Sequence, residues 1–324
     1  MLRPLLCIVT PALANANNGN WQTASRWARM LAADYRVQLL DRWTPGPGES
    51  PEALIALHAR RSAESIAAWT ARRPAGPLVV VLTGTDLYRD IHTDPCAQHS
   101  LAVAQRLVVL HERAIDDLPP PHRDKAVACF QSTSARSPAR KTQRHLRALM
   151  VGHLRAEKSP DTYFGAARLL TQRADIRLDH IGAALDAALG RAAEAVQQAC
   201  PHYRWLGALP HAITRDRIQR AHLLVHSSLI EGGAHVVMEA VRSGTPVLAS
   251  RIAGNVGMLG PGYAGYFEPG DDQGLAALLQ RCRDEPGILQ HLATQCAARA
   301  PLFAPARERA TLLAMMADLL ESPR

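Results

Sequence analysis

The sequence predicts an α/β protein built from two Rossmann-like, doubly wound parallel sheets facing a cleft. Three observations carry this. Short apolar runs alternate with helical patterns along most of the chain, the signature of βαβ units. The runs are apolar throughout, as in strands buried on both faces. One polar stretch rich in Ser and Arg, STSARSPARKTQRHL, interrupts the pattern near the middle and reads as a linker. With 324 residues, each half can bury a core of its own. The expected domains are residues 1–140 and 147–305, followed by a C-terminal helix over 306–324 for which return to the N-terminal domain stays open.

In chain order, LLCIVT is the first strand, and Asn20 is suited to cap the helix WQTASRWARMLAAD. VQLLDRW is strand-like, and PGPGESP is a turn. ALIALHA, PLVVVLT and RLVVL follow as strands, with helices around Ser62–Arg73 and Cys96–Ala104 between them. KAVACFQS closes this half. RALMVGHL opens the second half. After it come a helix near Thr162–Gln172, the strand IRLDHIGA, a helix over Ala187–Ala199 and the strands YRWLGAL, HLLVHSS and TPVLAS. The tail, about Arg307–Leu320, carries Leu312, Leu313, Met316 and Leu319 at helical spacing.

Composition excludes several classes. The six cysteines are scattered with no Cys-x-x-Cys pair, which argues against zinc and disulfide frameworks. No apolar run reaches the roughly 20 residues that span a bilayer. MLRPLLCIVTPALA reads as a core strand and not a signal peptide, so the cytoplasm is the expected place. The net charge of +8 is carried almost wholly by arginine, the only lysines being Lys125, Lys141 and Lys158. These arginines are mixed with Asp and Glu along helices, and aromatics total 5%. No aromatic-basic stripe suited to nucleic acid appears, and an anionic small substrate accounts for a cationic cleft equally well.

The most informative stretch is EGGAHVVMEA followed by VRSGTPVLAS. Gly232 and Gly233 let a ligand approach the main chain. The amides of Gly233, Ala234 and His235 would be open donors at a helix start, where the dipole favours phosphate. Glu231 before the helix suits sugar hydroxyls, and Glu239 two turns on suits a ribose diol. An ordinary amphipathic helix would share this spacing.

In the first half, Asn17–Asn20 (NNGN) lies between strand one and helix one. There Asn18, Gly19 and Asn20 read as an anion-binding turn or a simple Asn-Gly turn. HARR and TGTDLYR follow strands and belong at the C-terminal rim of the sheet. Arg60, Arg61 and Arg89 are candidates for an oxyanion. Asp86 either orients a nucleophile or caps the next helix, the cap being the simpler role. His58 is a candidate site residue or a packed histidine, and His111 a weaker one.

Glu231-x7-Glu239 followed by GTPVLAS resembles the retaining GT-B glycosyltransferases of family 4. The resemblance implies that Glu231 contacts the donor hexose and Glu239 the ribose of the nucleotide. It implies that residues of VGHLRAEK hold the donor diphosphate, with Lys158 at the family's lysine position and His153 where the family has arginine. Arg155 lies between them and can take over the missing guanidinium. Leu209 and Pro210 of GALPH fall where the family packs the nucleobase. Thr83 stands where many relatives have a histidine, with His58 as its candidate substitute. Longer stretches, VTPALANANNGNWQTASRWARML, ALIALHARRSAESI, VVVLTGTDLYRDI, YRWLGALPH and RIAGNVGMLG among them, are similar to the selenosugar-synthase branch of that family, over about residues 4–305. That similarity implies a UDP-sugar donor, plausibly UDP-N-acetylglucosamine, and selenophosphate as acceptor. It also implies a downstream enzyme of selenoneine biosynthesis as partner. No cofactor is required and no Asp-x-Asp motif suits a metal, while stimulation by Mg²⁺ stays compatible. Neither nucleic acid nor membrane is an expected partner. Two alternatives stand beside this: a conventional family 4 transferase acting on a glycan, lipid or small molecule, and a non-catalytic sugar-nucleotide sensor.

Overall fold

The computed structural model of the chain describes residues 3–12, 19–46, 48 and 50–321. Asn18 lies outside them. The chain forms two compact units, residues 1–132 with 305–324 and residues 133–304.

The first unit carries β1 (Leu5–Val9), β2 (Arg36–Leu40), β3 (Ala53–Leu57), β4 (Leu78–Val81), β5 (Arg106–Val109) and β6 (Ala126–Ala128). They form one sheet in the order β2-β1-β3-β4-β5-β6, every pairing parallel. The period of two along each strand sorts the apolar residues onto two faces. Cys7, Val9, Leu54, Ala56, Leu78, Val80, Leu107 and Val109 face one core, with Ile66 and Trp69 of the helix Ala63–Arg72 and Leu101 of the helix Pro95–Val103. Leu6, Ile8, Ile55, Leu57, Val79, Val81 and Val108 face the other. There they meet Ala24, Trp27 and Leu31 of the helix Gly19–Leu31, and Leu312, Met315, Met316 and Leu319 of the helix Pro305–Glu321. Both faces are covered, and the strands therefore read as unbroken apolar runs. Asn20 is the second residue of its helix, so it cannot be the cap expected of it.

Glu308 ties the C-terminal helix to this unit. Its buried carboxylate accepts from Arg26 Nε (2.9 Å) and Nη2 (3.0 Å), Trp27 Nε1 (2.7 Å) and Ser132 N (2.9 Å). Removing it leaves a guanidinium and an indole N–H without their acceptor. We expect Glu308→Ala to cost about 3 kcal/mol, the scale of breaking one side of a buried pair. Urea unfolding would read this as a lower midpoint, and an unchanged midpoint would deny Glu308 its anchoring role.

The second unit carries β7 (Leu146–Val151), β8 (Ile176–Ile181), β9 (Tyr203–Trp205), β10 (Leu223–His226), β11 (Val247–Ser250) and β12 (Tyr266–Phe267). Their order is β12-β11-β10-β7-β8-β9, again parallel throughout. The chain runs outward from β7 to β9, then returns to the other side of β7 as β10. The direction reverses between β7 and β10, and that is where an open parallel sheet leaves a crevice at its C-terminal edge. The Ser- and Arg-rich stretch read as a linker has no helix or strand before β7. It packs along this unit, with Arg136 N donating to the Arg242 carbonyl (2.9 Å) and Gln219 Nε2 to the Ser137 carbonyl (2.6 Å). Among the described residues no helix is long and apolar enough to cross a membrane.

Candidate functional site

The loops after β7 and β10 flank that reversal, and they are stitched together. Leu229 N donates to the Glu157 carbonyl (2.8 Å), and Ser227 Oγ to the carbonyls of Lys158 (3.0 Å) and Ser159 (3.1 Å). This brings Lys158 Nζ onto Glu231 Oε1. The two residues are 73 positions apart, and both are still in reach of solvent, at 17% and 14% side-chain exposure. Ser228 Oγ donates to the same oxygen (2.9 Å), and His226 Nε2 lies 3.5 Å from it. Burial would raise the Glu231 carboxyl, but Lys158 and His226 outweigh it and hold the group well below the usual carboxylate range. Glu231 is therefore an ionised carboxylate beside a cation.

Gly254, in the first turn of the helix Ala253–Leu259 after β11, completes the wall. A Cβ there would lie 1.9 Å from the Glu231 carbonyl oxygen. Gly254→Ala must push the backbone of residue 231 aside. We expect a loss of turnover of about tenfold or more, since displacements near 1 Å at a reacting centre can cost more still. Kinetics of the variant check this, and wild-type turnover would show that the loop yields freely.

The other residues singled out in this unit divide. His153 Nδ1 accepts from Ala183 N (3.0 Å), so the ring's hydrogen is on Nε2. Burial, Arg155 and Lys158 all lower its basicity, which leaves a neutral imidazole with one N–H to offer. Arg155 is half exposed and 4.0 Å from Glu157. It is held by no other charged group among the described residues. Gly232 and Gly233 join Glu231 to the helix His235–Val241. Ala234 does not offer the open amide expected of it, because its N–H points at Met258 Sδ (3.2 Å). Glu239 sits on that helix, 5% exposed, against His211 Nε2 (2.6 Å) and Arg215 Nε (3.9 Å). Its hydrogen bond raises the His211 imidazole above the ordinary value. Leu209 is half-buried, and Pro210 leads into the helix His211–Arg220.

In the first unit the loops after β3 and β4 meet. Asp86 Oδ1 accepts from the amides of Thr83 (2.8 Å) and Gly84 (3.0 Å), and Oδ2 from the amide of Ala59 (3.0 Å). It caps no helix: it opens the turn Asp86–Asp90, and its acceptor sites are taken up by amides of the two loops before it. His58 has φ 72 and is 2% exposed. A left-handed backbone at a non-glycine residue persists only where its surroundings hold it. Here the ring bonds Thr85 Oγ1 (3.1 Å) and lies 3.9 Å from both Asp86 and Asp90. Burial lowers its basicity despite those carboxylates. The structure thus makes His58 a packed histidine that fixes the loop. Arg60 Nε (2.8 Å) and Arg89 Nε (3.0 Å) both bind the Asp90 carboxylate. The exposed Arg61 side chain has no partner among the described residues. His111 is buried, with Nδ1 accepting from Ala114 N (3.1 Å) and Nε2 on Tyr88 OH (3.0 Å), so its role is local. Gly19 and Asn20 open their helix rather than forming a turn before it.

Residue type and spacing alone do not single out His226, Ser228, Gly254, Asp90, His211 or Arg215. One signal was available: three polar residues, His226 to Ser228, closing the apolar run HLLVHSS at the strand end where parallel sheets keep their sites.

Residues 132–300 match the family described as glycosyl transferases group 1. No curated protein sequence matches the chain. Solved structures resemble it in fold. Sucrose-phosphate synthase from Thermosynechococcus elongatus superposes with TM-score 0.79 at 17% identity, over 99% of this chain and 100% of its own. HepE from Anabaena, in complex with UDP and glucose, gives 0.69 at 14% over 97% and 99%. A point mutant of TarM from S. aureus, in complex with Fondaparinux, alpha-GlcNAc-glycerol and UDP, gives 0.66 at 13% over 83% and 55%, so this chain spans about half of that one. The paired parallel sheets are those of the GT-B fold.

Proposed function

The chain belongs to the glycosyl transferases group 1 family, and from that premise we propose that it moves a sugar from a UDP-sugar, UDP-N-acetylglucosamine, to selenophosphate. The observation that carries the donor half is the Lys158–Glu231 contact at the sheet's point of reversal. Relatives of the same fold bound to UDP support it. The acceptor half rests on the similarity of the quoted stretches to selenosugar synthases.

Selenium attacks the anomeric carbon, and the bond from that carbon to the β-phosphate oxygen breaks, its electron pair leaving with UDP. Water then cleaves the selenium–phosphorus bond, releasing phosphate and a selenosugar. Lys158 lies where charge develops on the departing phosphate, and a cation held there favours the transition state over the ground state. Arg155 and the His153 N–H add to it. Glu231 accepts from sugar hydroxyls through its unpartnered oxygen. A selenium nucleophile is largely deprotonated and has little need of a general base. The reaction as written needs no resident metal.

The anionic acceptor is assigned to the first unit. Asp90 offsets Arg60 and Arg89, so Arg61 carries the uncompensated charge. Arg61→Ala is expected to raise the acceptor KM several-fold, more than Arg60→Ala does, with the donor KM little changed. Steady-state kinetics with each substrate varied would check this, and the opposite ranking would move the acceptor elsewhere.

The deciding experiment mixes purified protein with selenophosphate and several UDP-sugars and follows UDP release and product mass. A selenium-containing hexose is expected. UDP release only with a glycan acceptor, or none with any acceptor, would overturn the proposal.

A further inference from the structure

Lys158 cannot serve two anions fully. It faces Glu231 Oε1, and in the proposed reaction it must also meet the leaving phosphate. Glu231 then keeps only part of the interaction that holds it ionised in a mostly buried place. Some other group has to fix the carboxylate at that moment. We propose that His226 is this positioning residue: its Nε2–H holds Glu231 Oε1 while Lys158 turns to the phosphate. The inference rests on the reading of the site given above.

Ser228 Oγ already donates to Glu231 Oε1 (2.9 Å), and beyond it the geometry favours His226 (3.5 Å). Among the described residues, Lys158 and His226 are the only groups capable of positive charge within 4.0 Å of Glu231. His226 ends β10, and its ring is 2% exposed. The segment it begins is fixed. Ser250 Oγ donates to the carbonyls of Ser228 (2.5 Å) and His226 (3.4 Å), and Asn255 Nδ2 holds the Ser250 carbonyl (2.9 Å) and hydroxyl (3.2 Å). Ser228 Oγ lies between the ring and the carboxylate, 3.2 Å from Nε2 and 2.9 Å from Glu231 Oε1. A carboxylate can only accept, and Ser228 spends its hydrogen on Glu231, so the hydrogen on Nε2 is the one that completes this set.

The other ring nitrogen sharpens the case. His226 Nδ1 is buried with no hydrogen-bond partner among the described residues. A bare buried acceptor disfavours folding. An apolar side chain would spare the strand that cost, so packing alone does not account for an imidazole here. What the imidazole supplies is Nε2, 3.2 Å from Ser228 Oγ and 3.5 Å from Glu231 Oε1. Glu231 in turn presents Oε2 with no partner among the described residues, open to a ligand. Three groups on one oxygen and none on the other is the arrangement of a carboxylate held for use.

The test compares His226→Leu with His226→Gln, because a glutamine amide can place an N–H near the position of Nε2. Turnover of His226→Leu is expected to fall roughly tenfold to hundredfold, the scale of one lost hydrogen bond to a catalytic carboxylate, with the UDP-sugar KM changed by no more than about twofold. His226→Gln should keep turnover within about threefold of wild type. A purely structural histidine would give equal losses for both variants, and that result would overturn the proposal. So would wild-type turnover in His226→Leu. A second measurement is independent of turnover. Melting temperatures of the wild type, His226→Leu, Lys158→Met and the double variant form a cycle. His226→Leu should cost more in the Lys158→Met background, where the carboxylate has lost its ammonium partner, and strict additivity would count as refutation. If the reaction reading itself fails, the wild type releases no UDP with any UDP-sugar and selenophosphate, while the melting cycle still reports the coupling.

Discussion

Glu231→Ala is expected to lower turnover by about 10²–10³-fold, the scale of losing one preorganised group at a reacting centre. The loss should fall mainly on kcat. Glu231 lies beside the proposed diphosphate contact, and UDP without its sugar gives the carboxylate no hydroxyl to accept from. UDP affinity should stay near the wild-type value or tighten, because removing the carboxylate frees Lys158 for phosphate. Glu231→Gln separates charge from shape. Glutamine can still accept from Ser228 and His226, but it cannot pair with Lys158 as an ion. If the negative charge is what serves the reaction, both variants lose turnover together. If shape alone matters, glutamine rescues. Calorimetric titration with UDP and initial rates with the UDP-sugar would check both halves. Turnover of Glu231→Ala within about threefold of wild type would remove Glu231 from the site.

Both members of the central pair were legible in the sequence, but their contact was not. Glu231 stood out by its glycines and its spacing to Glu239, and Lys158 by its place after a strand. Nothing local joins residues that far apart. Contact follows from strand order, because β10 returns to the open side of β7. Strand order is a global choice that the period of each run does not encode. The strands themselves were readable because burial on two faces makes them uniformly apolar, as in ALIAL of β3 and LLVH of β10. The turn after β11 was not read as the helix Ala253–Leu259, because Gly254 and Gly257 weaken any helical pattern. One of those glycines is where the Glu231 carbonyl approaches most closely, so the feature that hid the element is the one that shapes the site.

The first unit failed in a different way. Arg60, Arg61 and Arg89 looked alike as cations after strands, and sequence gives no hint that Asp90 takes two of them. Asp90 and Asp86 sit at the two ends of a single π-type turn, Asp86–Asp90, which points both carboxylates at the loop of His58. His58 is a candidate for chemistry in the sequence only as a substitute for the histidine that relatives carry at Thr83, with a packed histidine as the other reading. Its left-handed backbone and its burial could not be read from residue types.

Lys158→Met carries the second large effect. Methionine keeps the length of the side chain and removes the charge. UDP affinity should fall about tenfold and turnover about 10²–10³-fold, since the leaving phosphate loses its nearest cation. The same variant should change how stability follows pH, and the direction is fixed by Glu231. In the wild type that carboxyl is held below its unfolded value, mainly against burial and by Lys158. Its contribution is therefore fully present above about pH 4.3 and is lost as pH falls through the lower folded value. Without Lys158, burial is left opposed only by His226 and Ser228, and the folded carboxyl rises. The wild type should thus be the more stable protein near neutrality, with its advantage shrinking as the pH falls through the raised carboxyl value of the variant. Melting temperatures of both proteins between about pH 3 and 7 would show the two curves converging on the acid side. A constant offset across that range would mean that Lys158 stabilises the fold by some route other than the charge of Glu231.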